Sequence, residues 1–195
     1  MNLSPRGAFS KLWNRFHDWG MTPAERSLDY PCDHVPNPPR VIYYRAMTVN
    51  ASAAEVFPWY CQMRIAPYSY DWLDNLGRRS PQSLTPSLTE LQLGQVFMTG
   101  FALVDFEHNS HITLRSRSLP AWLYVFGDVV ISYTVHDIND GLSRMLVKMR
   151  MAYPHSPLRS LMMVLLPPGD TFMMHRQLCS FKRLAERSRL RPVHS

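Results

Sequence analysis

A chain of 195 residues, 46% hydrophobic and 18% charged, is long enough for one domain that buries roughly 70% of its unfolded surface, and too apolar to be disordered. The net charge of +6 gathers near the ends, at Arg6, Lys11 and Arg15 and again from Arg176 to Arg191. Basic and stacking aromatic residues do not alternate along any groove-like stretch, which argues against nucleic acid as a partner.

Cys32, Cys61 and Cys179 lie far apart without C-x-x-C spacing. They predict neither a disulfide framework nor a zinc site, and they fit reduced thiols in a cytoplasmic protein. The N-terminus lacks the long apolar run of a secretory signal. "LMMVLL" at 161–166 stops at Pro167-Pro168 and is too short to span a bilayer.

Residues 6–20, "RGAFSKLWNRFHDWG", place Phe9, Leu12, Trp13 and Phe16 at helical spacing, with Lys11 and Arg15 off that stripe. This predicts a short amphipathic helix, docked on its own domain or resting on a membrane surface. "PCDHVPNPP" at 31–39 predicts a rigid extended lead-in. The division is therefore residues 1–39 as helix and lead-in, and 40–190 as the main domain.

"RVIYYRAMTV" at 40–49 reads as a strand. Ser52 and Glu55 form a capping box that opens a helix through "AAEVFPWYCQM", with Pro58 predicted to kink or break it. A second short helix is expected from Tyr70 to Leu76, stopped by Gly77, and a surface loop over 78–94.

Strands follow at 95–99 and in a hairpin around His108-Asn109-Ser110. A longer pair, 129–138 and 142–153, turns at Asn139-Asp140-Gly141. Val129, Ile131, Tyr133 and Val135 share one face with Met145, Val147, Met149, Met151 and Tyr153. Ser132, Thr134, His136, Arg144, Lys148 and Arg150 take the other. The alternation predicts an antiparallel sheet with one buried and one wet face. Asp170 is a candidate cap for a helix to about Arg189, striped by Met174, Leu178, Phe181 and Ala185 and widened by Leu184 and Phe172.

The order is strand, two helices, antiparallel strands, long C-terminal helix, which matches and so predicts the α+β helix-grip fold, also called START-like. Beyond the order, "PWYCQM" (Pro58, Trp59, Gln62, Met63), "YSYDWLDN" (Tyr68–Asn75), "LQLGQVF" and "FMMHRQLCSFKRLAER" resemble the SRPBCC (START-like, Bet v 1-like) superfamily, and within it the bacterial polyketide cyclase/dehydrase-like proteins. The resemblance runs from about Trp19 to Glu186. It departs at Arg64, where that family usually has glycine, and in the short loop "RIAP", which predicts a mouth of altered width or charge.

The resemblance implies a curved sheet gripping the C-terminal helix over an elongated apolar cavity. Segment 68–77 is then either cavity rim or structural core. Trp59, Tyr70, Trp72, Tyr133 and Tyr153 are the candidates to orient an amphipathic ligand, since each ring has an apolar body and one polar tip. Met149, Met151, Phe172 and Met173 are the candidate apolar wall.

Catalytic candidates are sparse. Asp71 with Asp74 or Asn75, and His108 with His111, are better explained as solvated helix and turn residues; no third metal ligand lies nearby in sequence. Cys61 reads as an inert buried thiol, and Arg115 and Arg117 as surface charge. His175 faces either the cavity, as a base, or solvent. No metal or cofactor motif is present. The leading expectation is a non-enzymatic binder of a small hydrophobic molecule (lipid, polyketide or isoprenoid). One alternative is a cyclase/dehydratase-like enzyme using Tyr133 or His175. Another is a peripheral membrane protein handling lipid and touching the bilayer through residues 6–20.

Overall fold

The hairpin anticipated from alternation is the centre of the structure. The computed structural model describes residues 16–74 and 76–190. In it β6 (Asp128–Asn139) and β7 (Leu142–Ala152) pair with Val129 opposite Met151, Ile131 opposite Met149, Tyr133 opposite Val147 and Val135 opposite Met145. This register joins the apolar residues of both strands into one stripe on one face.

Around it lie β1 (Asp18–Trp19), β2 (Val41–Val49), β3 (Val96–Phe97), β4 (Phe101–Glu107) and β5 (His111–Ser116). The sheet order is β1-β2-β7-β6-β5-β4-β3, antiparallel throughout except for the β1–β2 pair.

The helices among the described residues are α1 (Pro23–Arg26), α2 (Pro31–His34), α3 (Ala53–Cys61), α4 (Asp71–Asp74), α5 (Pro120–Phe126) and α6 (Arg159–Arg189). The curved sheet holds α6 against its inner face, so the fold is an α+β helix-grip. Val129, Ile131, Tyr133, Met149, Leu178, Phe181 and Leu184 are buried in this core, with α3 closing one end. The Ser52–Glu55 capping box forms as expected. The helix runs through Pro58 without a break and tightens into a 3-10 turn only at Gln62–Arg64.

Two expectations are corrected. The first concerns the C-terminal helix, which does not begin at Asp170. It begins at Arg159 and continues through Pro167-Pro168 for 31 residues, about 46 Å at 1.5 Å per residue. The prolines withhold two backbone donors, from the carbonyls of Met163 and Val164. Both of those residues are exposed, so water can serve the carbonyls, while Met162 and Leu166 pack on the core and hold the segment in place.

The second concerns the outer face of the sheet, which is largely covered although His136 stays exposed. After β1, residues 20–39 fold over it with two short helices rather than as an extended lead-in. Met21, Tyr30 and Cys32 pack there with Ala46, Val130 and Leu146. The cations read as solvent-facing find partners in the same segment. Arg144 binds Glu25, and Lys148 and Arg150 both bind Asp33. The Cys32 amide donates to Ser132 Oγ at 2.8 Å, and Ser132 exchanges a hydrogen bond with Thr113 at 2.8 Å. Arg115 likewise pairs with Asp128 and donates to the Pro36 carbonyl. Gly20, at φ +76°, lets the chain lie against β2, where a Cβ would strike the Ala46 carbonyl. Residues 1–15, with most of the anticipated amphipathic helix, lie outside the described residues.

The outer-face ion pairs predict an acid-sensitive fold. Hydrogen bonds from Arg144 outweigh burial and hold Glu25 at about 2, below its ordinary 4.5. At Asp33, burial acts upward, but the Lys148 and Arg150 bonds leave the carboxyl below its usual range. A carboxylate lowered in the folded state stabilises above its unfolded pKa, and that stability is lost as pH falls through the folded value. The urea midpoint is therefore expected to fall between pH 4.5 and about 2, and to fall less steeply in Glu25→Gln. Equal slopes for the two proteins would remove this assignment.

Candidate functional site

Between the inner face of the sheet and the N-terminal half of α6 lies a cavity of about 690 Å³. Val129, Ile131 and Tyr133 of β6 and Met149 and Met151 of β7 form its floor. Leu166, Gly169, Asp170, Met173, Met174 and Gln177 of α6 form its roof. Trp122 and Phe126 of α5, with Phe101, close one end, and the loop Arg64–Pro67 borders another. Ile65, Thr99 and Gly169 are both wall and exposed surface, which marks the opening. A shallower depression is bordered by Cys179, Lys182, Arg183, Glu186, Arg187 and Leu190. Among the described residues its walls come only from α6 and the residue that follows it.

Two polar constructions meet the cavity. The Tyr133 hydroxyl donates to Gln177 Oε1 at 2.8 Å, and Gln177 Nε2 donates to the Pro67 carbonyl at 2.6 Å. Strand, helix and loop are thus joined by one amide, whose orientation is fixed by its two partners. Burial, then the nearby negative charge of Asp170, pushes the Tyr133 hydroxyl well above its ordinary range, against the Gln177 bond.

The second construction is an ion pair. Arg45 of β2, 1% exposed, places Nη2 2.7 Å from Asp170 Oδ2. Its remaining bonds run to the carbonyls of Phe16, His17 and Tyr44 and to Thr171 Oγ1. Burial raises the Asp170 carboxyl and Arg45 opposes the rise; the net position is above the usual carboxylate range. The carboxylate is enclosed by protein, yet 18% of its side chain remains accessible, which the cavity explains.

Of the residues singled out from sequence, Tyr133, Met149, Met151 and Met173 line the cavity. The others lie elsewhere. Trp59 is sealed in the core, edge-on to Tyr68 at 6.2 Å. Tyr153 is buried and spends its hydroxyl on Tyr43 at 2.6 Å. Tyr70 is half-buried and no part of the wall, and Trp72 on α4 is 74% exposed.

Phe172 is 63% exposed. One residue is about 100° of helix rotation, so with Met173 facing the hollow its neighbour turns out. His175 is exposed for the same reason; its ring lies 5.2 Å from Trp19 and borders Cys179, outside the cavity. Segment 68–77 is therefore split: Tyr68 is core, against Trp59 and Phe181, and Trp72 faces water. His111 pairs with Asp105 and His108 packs on Phe57 and Phe106. Among the described residues no group of three or more His, Cys, Asp or Glu is placed to hold a metal. Burial pushes the Cys61 thiol up to about 12.

Three parts of the wall were not identified from sequence. The signals for α5 are Pro120 at its first position and Gly127 at its end. Asp170, expected as a helix cap, lies mid-helix instead. The signal for Gln177 is its spacing: Asp170, Met174 and Gln177 sit at i, i+4, i+7 and so share a helix face.

No protein-family model matches the chain, and no curated protein does. Similar solved structures include protein CV1439 from Chromobacterium violaceum, 11% identical, covering 74% of this chain and 96% of that one with a TM-score of 0.49. Others are hypothetical protein jhp0584 from Helicobacter pylori (10% identical, 86% and 98% covered, TM-score 0.49) and Ara h 8.0201 (10% identical, 76% and 97% covered, TM-score 0.44). The fold assignment stands on the strand order and register above.

Removing Arg45 leaves Asp170 as an unpaired buried charge. Arg45→Met is expected to destabilise by about 3–5 kcal/mol in urea denaturation, with most of that recovered in Arg45→Met/Asp170→Leu. A single-variant loss below about 1 kcal/mol would show that the pair carries no strain when broken.

Proposed function

We propose that the protein binds a small hydrophobic or amphipathic molecule in the cavity under α6. The observation that carries this reading is a hollow of about 690 Å³ with largely apolar walls, a solvent opening and two buried polar constructions at its surface. Ligand sites are typically of this size and composition, with a few placed polar groups. Burying roughly 300 Å² of apolar ligand surface would contribute about 7 kcal/mol before association costs. The resemblance to bacterial SRPBCC proteins favours a lipid, polyketide or isoprenoid as occupant.

The enzymatic alternative is less well supported. Tyr133 keeps its proton and engages it in a hydrogen bond to Gln177 Oε1, and His175 lies outside the cavity.

Gly169 supplies the test, because a Cβ built there meets no atom within 4 Å. Gly169→Phe starts from a Cβ with open space around it, sets a ring at the opening, and removes a glycine from a helix, so stability is expected to hold. Wild type is expected to retain an apolar molecule in native mass spectra and to take up Nile red, and Gly169→Phe to do neither. Equal uptake by both proteins would place binding outside this cavity.

A second reading, contact with a lipid surface, is favoured by a different observation. Leu161, Val164, Leu165 and Phe172 are exposed at one helical spacing on α6, with Tyr124 of α5 also exposed. Among the described residues no helix is long and apolar enough to cross a membrane, so the contact would be peripheral. Flotation with anionic liposomes should be lost in Leu161→Glu/Val164→Glu/Leu165→Glu. Unchanged flotation removes the reading.

A further inference from the structure

The polar groups at the cavity wall are unequal in what they have left to offer. A carboxylate accepts at both oxygens and donates at neither. Asp170 uses Oδ2 for Arg45, and among the described residues no donor reaches Oδ1, while 18% of the side chain stays accessible. The matching positive charge is not presented to the cavity, because Arg45 is no part of its wall and spends its other bonds on three backbone carbonyls and Thr171. The cavity meets the negative end of the pair.

Tyr133 has given its hydrogen to Gln177 and keeps oxygen lone pairs. Gln177 has no donor to spare: one N–H goes to the Pro67 carbonyl, and the amide nitrogen also contacts the sulfurs of Met63 and Met98 at 3.4 and 3.6 Å. Trp122 Nε1 is a donor without a partner, but the atom itself is closed off. Among the described residues Arg64 is the one cation of the wall, and its Nη1 is held by the carbonyls of Leu88 and Glu90. Thr99 carries its hydroxyl at the opening and Ser69 lies on the loop side of the wall, so at the Asp170–Tyr133–Gln177 cluster itself the unspent capacity is to accept.

We propose that the cavity selects a molecule with an apolar body and a hydrogen-bond donor, a hydroxyl or an amine, received by Asp170 beside Tyr133, and discriminates against carboxylate head groups. This rests on the binding reading above and names the ligand class for the same site. A carboxylate placed against Asp170 and Tyr133 would face acceptors at that spot and the field of Asp170, the same field that disfavours ionisation of Tyr133 and Tyr153. A donor would complete the hydrogen bonding of a buried carboxylate, a bond stronger than one between neutral groups.

The test uses three probes of equal chain length, dodecan-1-ol, dodecylamine and dodecanoate, each displacing Nile red from the full-length protein. The alcohol and the amine are expected to bind at least about tenfold more tightly than dodecanoate, the scale of one hydrogen bond to a charged group. In Asp170→Asn the amide adds a donor, and the preference should shrink severalfold. In Arg45→Met/Asp170→Leu, which removes both ions together, it should fall below about twofold while Nile red still binds. Dodecanoate binding as tightly as the alcohol in wild type, through Arg64 at the wall, overturns the proposal and leaves the cavity reading standing. Failure of Nile red and of all three probes overturns the cavity reading as well.

Discussion

One side chain ties the sheet, its edge and the long helix together. The guanidinium of Arg45 leaves the middle of β2 and reaches the backbone of residues 16 and 17, just before β1, as well as Asp170 and Thr171, where α6 crosses the sheet. A planar group with five donors can serve that many partners at fixed angles. Nε is the exception, buried without a partner. An ion pair of this kind is weak evidence for net stability, since desolvation offsets most of its attraction. Its structural consequence is positional. It fixes where α6 sits along the sheet and presents the carboxylate to the hollow.

The outer layer gives that arrangement a firm backing. A sheet covered only on its inner face would present Arg144, Lys148 and Arg150 to water, where exposed ion pairs contribute little. Here Lys148 is buried between Asp33 and the rings of Tyr30 and Tyr44, at 5.0 and 5.6 Å. Tyr30 in turn donates to the Glu25 carbonyl at 2.8 Å. Packed on both faces, the β2–β7–β6 strands have little freedom to move toward α6. The floor of the cavity is held at a fixed height.

How much of this was legible depends on what sequence encodes locally. The β6–β7 hairpin was legible because side chains alternate with period two and the Asp140-Gly141 turn fixes the register. The α3 cap was legible because Ser52 and Glu55 act on their own backbone. The outer face misled because Lys148 looks the same in a sequence whether it meets water or Asp33. The start of α6 misled because two prolines normally end a helix, and only tertiary packing from Met162 and Leu166 overrules them. At the site, Met149, Met151 and Tyr133 carry a periodicity that places them on the inner face, whereas Trp59 and Tyr153 share the same chemistry and lie in solid core. Burial alone does not distinguish the wall of a hollow from packed interior. The distinction comes from how far α6 stands off the sheet, which no single residue specifies.

That stand-off is energetically informative. Voids left in an apolar core cost about 24 cal/mol per Å³, so a dry hollow of about 690 Å³ would forfeit some 17 kcal/mol, more than the roughly 5–15 kcal/mol by which a domain is stable at all. The space is therefore not a packing defect that a stable fold carries unoccupied and sealed. Water through the opening at Ile65, Thr99 and Gly169 relieves part of the cost, but at a wall of methionine, isoleucine and valine it finds few partners. An apolar body displaces that water, and a polar end still finds Asp170 and Tyr133. The rest of α6 shows that the sequence can fill such space: Leu178, Phe181, Leu184 and Ala185 pack solidly against the same sheet. Gly169 at the opening, and methionines that adapt to irregular contents along the wall, keep the other half of the helix able to accept a guest.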